Sequence, residues 1–385
     1  MHKREKLIIL VPSLAIGGQE RQAVTMASCL ADEYDVSIVV FNTVTPCYNP
    51  ECTVLNLNLP PRKGWAGKAI QQLCRAYKLC LLRKKERPTA VFSFGATANL
   101  SNVLSRKYGK SFVSVRQYAE TNNTALYRYI YKTADQIVCQ TEAMRDLLVR
   151  NYPAVREKTQ IIYNAYNIHR IKKQAQRPPD VALPMNPYIL AVGRMDPIKG
   201  FRQLLRAFVL LHEKVPDVDL MLCGDGEIMA DVKKLIEKLG LQDNVICPGV
   251  TETPYAYMSR CSVFVLPSIH EGCPNTLIEA MICGAPVIAA DCKTGPREIL
   301  SEHYTEETTA CIEYSDYGIL VPPFISDTSN EAEKMKILAD AIEHMVTNVN
   351  LRKEYALLAA KRGAMFSDDA FRKVILSTIE NSKEA

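Results

Sequence analysis

The chain has 385 residues, of which 48% are hydrophobic and 23% charged, with 13 cysteines and a formal net charge of +5. At roughly 100 to 200 residues per domain this length fits two large domains, and the composition excludes extended disorder, collagen-like repeats and a small disulfide-stapled scaffold. Cysteines without regular spacing read as buried thiols of a reducing compartment, and no run approaches the roughly 18 apolar residues of a membrane-spanning helix, so a cytoplasmic protein is expected.

The first element is LIILVPSL. Lys3, Arg4 and Lys6 before it imitate a secretory signal, but Pro12 interrupts the run and Gly17-Gly18 follow without a small-residue cleavage pattern. It reads as a buried strand turning through glycines into the helix QERQAVTMASCLAD. VSIVVF follows as a strand, and then comes the most basic part of the chain. Between Arg62 and Arg87 lie nine basic residues and one acid, Glu86. The segment GKAIQQLCRAYKLCLLRKKE has apolar Ile70, Leu73, Ala76, Tyr77, Cys80 and Leu81 at three- and four-residue spacing, which predicts a helix that packs this face and leaves its basic residues solvated. Residues 1–180 hold 27 Lys and Arg against 13 Asp and Glu, a surplus of +14, so the remainder carries −9. A basic half concentrates anions, and the Arg62–Arg87 segment is a candidate for docking on an anionic membrane surface, peripheral on the inner face of the cell membrane.

TAVFSF, SFVSVRQ, QIVCQT and QIIYNA continue as strands, with NLSNVLSRKY and EAMRDLLVRNY as helices between them. The alternation predicts a parallel sheet with both faces covered. After Asn164 the stretch NIHRIKKQAQRPPDVALPMNP has no sustained period and reads as a linker. A second alternating array opens at YILAVGRM and runs to YGILVP; beyond Glu331 the chain reads as purely helical. The expected layout is an N-terminal Rossmann-like domain at 1–168, a linker at 169–187, a second Rossmann-like domain at 188–364 and a C-terminal helix at 365–385 that packs back on the first domain. Both domains are α/β, doubly wound parallel sheets facing an interdomain cleft, where ligands collect at the carboxyl ends of the strands.

Two constellations fall at such ends. In Gly193-Arg-Met-Asp-Pro-Ile-Lys-Gly200, Arg194 and Lys199 flank a turn leading into a helix, an arrangement suited to a diphosphate; Gly200 after the lysine excludes a Walker motif. In Glu271-Gly-Cys-Pro-Asn-Thr-Leu-Ile-Glu279, Pro274 suits a helix start, which puts Glu271 in the loop and Glu279 within the helix. Amides near Asn275 and Thr276 face the same space and suit a phosphate or a sugar hydroxyl. A fixed carboxylate suits a ribose diol, or the positive charge of a forming oxocarbenium centre. Asp217-Val-Asp219 leads into a strand, and His270 with Cys261, Cys273 and Cys283 lacks metal-ligand spacing, so no metal is expected. No nucleic-acid module is recognisable, and the missing G-x-G-x-x-G argues against a dinucleotide oxidoreductase.

The order of strand-GG-helix, G-R-x4-K-G, C-G-D-G-E and E-x7-E within EGCPNTLIEAMICGAPVIAAD resembles the retaining glycosyltransferases of family 4, with the GT-B architecture, over nearly the whole chain and most strongly at 188–323. The resemblance implies that Arg194 and Lys199 hold the donor diphosphate, with Gly224 beside it. It implies Glu279 on the donor ribose and Glu271 near the reacting carbon of the transferred sugar, and that Gly17 and Gly18 approach the donor phosphate and the acceptor. Many members carry a histidine after a strand of the first domain; here Ser114-Val-Arg116-Gln-Tyr stands in that place, with Arg116 as a candidate cationic replacement. Thr294-Gly-Pro-Arg297-Glu298 and YGILVP resemble a bacterial subset using UDP-GalNAc, UDP-GlcNAc or UDP-Gal on lipid-linked oligosaccharide or polysaccharide acceptors. The implied activity is a retaining, metal-independent hexosyl or N-acetylhexosaminyl transfer with no cofactor beyond the nucleotide-sugar co-substrate. A nucleotide-sugar epimerase of the same architecture and a non-catalytic sugar-binding partner subunit are the alternatives.

Overall fold

The computed structural model describes residues 4–15, 17–42, 50–324 and 330–384. The chain divides into two compact units, one running to Ala165 and resuming at Asp368, the other spanning Tyr166–Ser367.

The first unit contains β1 (Lys6–Val11), α1 (Gly18–Leu30), β2 (Asp35–Val40), β3 (Thr53–Asn56), α2 (Trp65–Glu86), β4 (Ala90–Phe94), α3 (Ala96–Leu104), β5 (Lys110–Val115), α4 (Ala125–Thr133), β6 (Gln136–Cys139), α5 (Glu142–Asn151) and β7 (Thr159–Ile161). Its seven strands are parallel, in the order β3-β2-β1-β4-β5-β6-β7. Strand β1 shows why the sequence reads as one uninterrupted apolar run. Leu7, Ile9 and Val11 enter a core with Ala23, Met26 and Ala27 of α1, while Ile8 and Leu10 enter the opposite core with Leu79 of α2 and Ala98 of α3. Both faces of the pleat are dry, so alternation disappears.

Helix α2 overturns one expectation. Ile70, Leu73, Tyr77 and Leu81, expected to pack, are exposed; the buried positions are Gln71, Ala76, Leu79 and Arg83. Periodicity finds the stripe but not the side on which it lies, and here polar bonds decide. Arg83 is fully buried, and its guanidinium donates to the carbonyls of Tyr108 (2.6 Å), Gly109 (2.6 Å) and Asn102 (3.1 Å) and to Asn102 Oδ1 (2.9 Å). Charged-group hydrogen bonds of this kind contribute roughly 1.5–3 kcal/mol each, enough to outweigh the burial of an apolar side chain.

The second unit contains α6 (Ile168–Ala175), β8 (Tyr188–Val192), α7 (Phe201–His212), β9 (Asp219–Cys223), α8 (Met229–Lys238), β10 (Val245–Gly249), α9 (Pro254–Met258), β11 (Val263–Leu266), α10 (Asn275–Ile282), β12 (Val287–Ala290), α11 (Pro296–Leu300), β13 (Glu313–Ser315), β14 (Gly318–Val321), α12 (Glu331–Thr347) and α13 (Val349–Gly363). The strand order is β10-β9-β8-β11-β12-β14-β13, parallel except for the β13–β14 hairpin. Phe201, Leu204, Leu205, Phe208 and Leu211 of α7 pack with Leu338, Ile342 and Met345 of α12 in its main core.

The segment 169–187, expected as a linker, falls within this unit and begins with helix α6. Asn167 Oδ1 caps that helix by accepting from Arg170 N (2.8 Å), and Ile171 and Ala175 are its two buried apolar positions. Two such residues in eight are too few to register as a period. Further along, Asp180 accepts from Thr251, Thr253 and Tyr257 hydroxyls at 2.6–2.9 Å, tying the Pro-rich stretch down. Strands β3 and β13 and helix α4 are also absent from the sequence reading; β3 and β13 are edge strands of four and three residues, too short for a pattern.

Helix α14 (Asp368–Glu384) belongs to the first unit. Its Ile375 and Ile379 join the core under α1, Arg372 pairs with Glu33, and Lys383 Nζ lies 2.8 Å from Glu5. No helix among the described residues is long and apolar enough to cross a membrane.

Candidate active site

Because the strands of each sheet, β13 excepted, run parallel, their carboxyl ends share one edge, and the strand order reverses once in each unit. In the second unit the reversal lies between β8 and β11, where adjacent connections leave in opposite directions and open a crevice. The loops leaving these strands carry Arg194 and Lys199 on one side, and Ser268 and Glu271 on the other.

Gly200 sits at φ +70°, and a Cβ there would overlap the carbonyl oxygen of Pro267. Glycine therefore lets the start of α7 lie directly against the exit of β11. Ile269 N donates to Ile198 O (2.8 Å), stitching the two loops together. The result is a direct ion pair, Lys199 Nζ to Glu271 Oε1 at 2.6 Å, with side chains 24% and 8% exposed. Ser268 Oγ donates to the same oxygen (2.7 Å), and the Thr294 hydroxyl donates to the Glu271 carbonyl. Glu271 is thus held through both its carboxylate and its backbone.

Arg194 is placed differently. Its Nε and Nη2 donate to Asp196 Oδ2 at 2.8 and 2.7 Å, and its side chain is largely exposed. Asp196 is buried, and its Oδ1 has no hydrogen-bond partner. Both cations sit on the β8 exit loop, and each lies on a carboxylate.

At the start of α10, Pro274 occupies the N-cap position, Asn275 and Thr276 form the first turn, and Glu279 is buried one turn further on. Asn275 Oδ1 accepts from the Tyr166 hydroxyl (2.6 Å). Gly295, at φ +92°, brings the β12 exit against Gly272 and Pro274, so three strand exits converge on the Glu271 loop. Gly224 lies at the β9 exit with φ +137°, and a Cβ there would overlap the Gly193 carbonyl oxygen; close backbone packing alone accounts for this glycine. Arg297, in the Thr294–Glu298 segment, is engaged by Asp291 (2.5 Å) and Glu313 (2.8 Å), which leaves its guanidinium a structural joint.

In the first unit the reversal lies between β1 and β4. Gly17 is the N-cap of α1 and Gly18 its first residue. Gly17 is extended (φ −178°), and an added Cβ would meet only the flexible end of Glu20, so neither conformation nor packing demands a glycine there. Arg116 leaves the end of β5 partly buried: its guanidinium lies 4.7 Å from the centre of the Phe94 ring and donates to Asn164 Oδ1 (2.7 Å). Its amide donates to Glu120 Oε2 (2.6 Å), a carboxyl that burial pushes up from its ordinary value. A cavity of about 30 Å³ is bordered by Arg116, Asn164, Ser93, Phe94 and Gln22.

Ser268, Thr294, Asp196 and Asn164, which hold the expected residues in place, were not read from the sequence as site residues. Asp196 two positions after Arg194 and Ser268 three before Glu271 were the local signals available. Among the described residues no three His, Cys, Asp or Glu side chains group to hold a metal ion, and burial pushes the Cys283 thiol up to about 12.

Comparison with known proteins agrees with this architecture. Residues 16–170 match the model of Glycosyltransferase Family 4, and residues 172–354 that of Glycosyl transferases group 1. The chain is 32% identical over 322 residues to an uncharacterized glycosyltransferase of Methanocaldococcus jannaschii, covering 76% of this chain and 79% of that one. It is 27% identical over 376 residues to the N-acetylgalactosamine-N,N'-diacetylbacillosaminyl-diphospho-undecaprenol 4-alpha-N-acetylgalactosaminyltransferase of Campylobacter jejuni, covering 94% and 96%. Among solved structures, HepE of Anabaena in complex with UDP and glucose superposes with a TM-score of 0.75 at 18% identity, covering 98% of this chain and all of that one. TarM of Staphylococcus aureus superposes with a TM-score of 0.76 at 16% identity, covering 97% and 99%. Two doubly wound sheets are the GT-B architecture, and the two glycosyltransferase models together span most of the chain, so this is a GT-B glycosyltransferase. The chain belongs to the family 4 glycosyltransferases.

Proposed function

We propose that this glycosyltransferase moves a hexose or N-acetylhexosamine from a UDP-sugar, with retention of anomeric configuration, to a saccharide or lipid-linked acceptor in bacterial surface polysaccharide or glycan synthesis. The observation that carries the reading is the Lys199–Glu271 pair at the strand-order reversal, which sets a cation suited to a diphosphate 2.6 Å from a carboxylate suited to the sugar it carries. Names of relatives point the same way: the Campylobacter jejuni protein is an N-acetylgalactosaminyltransferase acting on a diphospho-undecaprenol-linked sugar, and HepE was crystallised in complex with UDP and glucose.

In this reading Lys199 and Arg194 exchange their carboxylate partners for the donor diphosphate. As the bond from C1 to the β-phosphate oxygen breaks, their charge stabilises the leaving group. Glu271, released from Lys199, faces the positive charge growing at C1, and the acceptor hydroxyl attacks from the face the phosphate leaves, passing its proton to the departing oxygen. Glu279 holds the ribose, and the first turn of α10 at Asn275 and Thr276 supplies amides to the donor. Gly17 and Gly18 let the start of α1 approach the donor phosphate and the acceptor, a use consistent with a glycine that the fold itself does not demand at position 17. Gly224 keeps the β9 exit thin beside the donor, and Arg116 provides a cation toward phosphate or acceptor.

A thermal-shift screen with UDP-, GDP- and ADP-sugars tests the proposal. UDP-sugars should raise the melting temperature, since a ligand that binds only the folded state stabilises it. Product NMR with the best donor should show the donor's anomeric configuration retained, and EDTA should leave turnover unchanged. An inverted product, or no UDP release across a panel of lipid-linked and free saccharide acceptors, would overturn it.

A further inference from the structure

Helix α2 wears its apolar side outward. A helix laid on a sheet ordinarily buries its large apolar residues and exposes its polar ones. In α2 the buried positions are Gln71, Ala76, Leu79 and Arg83. Ile70, Leu73, Tyr77 and Leu81, on one face by their three- and four-residue spacing, are 50, 66, 66 and 49% exposed, and Trp65, the chain's single tryptophan, opens the helix at 86%.

The helix cannot roll to hide this stripe. The Arg83 bonds to Asn102, Tyr108 and Gly109 fix its C-terminal half. At its other end Gln71 Oε1 accepts from Arg62 N (2.6 Å) and its amide donates to Leu59 O (2.9 Å). Between them Lys78 donates to Leu57 O (2.7 Å), and the Arg75 guanidinium lies 4.5 Å from the Phe41 ring centre.

The charge around the stripe is of one sign. Arg62, Lys63 and Lys68 are exposed at its N-terminal end and Lys84, Lys85 and Arg87 at its C-terminal end, and the segment's one acid, Glu86, pairs with Lys6 at 2.5 Å. An aliphatic and aromatic stripe between clusters of cations complements the edge of an anionic bilayer, where acyl chains receive the stripe, headgroups receive the lysines, and tryptophan and tyrosine sit at the boundary. A second copy of the same face would bring like charges together.

We propose that the outward face of α2 is a membrane-docking surface that lies in the plane of an anionic bilayer. The surface delivers the first unit to the bilayer, where a lipid-linked acceptor would be found. The proposal stands independently of the glycosyl-transfer reading, because its readout uses neither donor nor acceptor.

The test is co-sedimentation of the full chain with vesicles of phosphatidylcholine alone or with about a third phosphatidylglycerol, together with the emission of Trp65. The wild type should sediment with the anionic vesicles, its emission should move to the blue, and brominated acyl chains should quench it. Leu73→Glu with Tyr77→Glu should weaken binding about tenfold or more without changing the melting temperature, since both side chains are exposed. Lys84→Gln with Lys85→Gln should weaken it about fivefold per cation and lower its sensitivity to salt. Equal binding by the wild type and the Leu73→Glu, Tyr77→Glu variant would overturn the proposal. So would an unmoved Trp65 spectrum on bound vesicles, the absence of sedimentation, or a dimer seen by ultracentrifugation that this variant abolishes while the wild type ignores vesicles.

Discussion

Removing one member of the Lys199–Glu271 pair should cost far more than removing the other, because the two differ in burial. Lys199→Met deletes the ammonium 2.6 Å from Glu271 Oε1 and leaves that carboxylate, 8% exposed, with the Ser268 hydroxyl on the same oxygen. Stripping a fully enclosed ion of its partner costs about 3–5 kcal/mol. Water reaches this pair from the lysine side, which is 24% exposed, so about 2–3 kcal/mol is expected. Glu271→Gln leaves an ammonium that can turn to solvent, at about 1 kcal/mol. The double variant should then lie near Glu271→Gln, a coupling of about 2 kcal/mol. In a unit of about 200 residues each kcal/mol moves the melting temperature by about 2–4 °C, so calorimetry should find the second unit of Lys199→Met melting about 4–12 °C lower. If the single effects add in the double variant to within about 0.5 kcal/mol, the pair is not coupled and the account of how Glu271 is held fails.

In steady-state kinetics, Glu271→Ala should lower kcat about a hundredfold or more, while Glu279→Gln should chiefly raise the donor KM; unchanged constants in both would remove their proposed roles. Gly17→Ala should leave the melting temperature in place yet slow turnover, whereas Gly224→Ala, forced to φ +137° against the Gly193 carbonyl, should destabilise the second unit by about 3 kcal/mol or more. A thermally silent Gly224→Ala would show that the β8 and β9 exits do not pack as described. Arg83→Leu should lower the stability of the first unit by about 3–5 kcal/mol, since the buried Asn102 carbonyl and Oδ1 lose their charged donor; denaturant titration followed by circular dichroism measures it.

The candidate site was legible where its residues lie at strand exits and carry charge. Gly193 to Gly200 and Glu271 to Glu279 stand out in one dimension because a glycine turn, a cation and a carboxylate recur at the boundary between an apolar run and a helix. What escaped was the set of contacts made across the chain: Lys199 finds Glu271 72 positions away, and Arg116 finds Asn164 48 positions away. Gly224 shows the opposite difficulty. It stands in a motif that implies ligand contact, and its tertiary surroundings already explain it. Strands of three or four residues such as β3 and β13 escaped because pairing with a neighbour, and not their own pattern, makes them strands.

Sequence by itself determined the two alternating arrays, the parallel sheets and the chemical character of the β8 and β11 exits, because apolar runs of strand length with crossover helices between them allow few other solutions. Tertiary structure alone decided which side of α2 meets water. A period of 3.6 residues marks a stripe whichever way it faces. Only the carbonyls offered by Asn102, Tyr108 and Gly109, free to take an arginine because α3 and β5 hold them at the right depth, turned Arg83 inward and Leu73 and Tyr77 out.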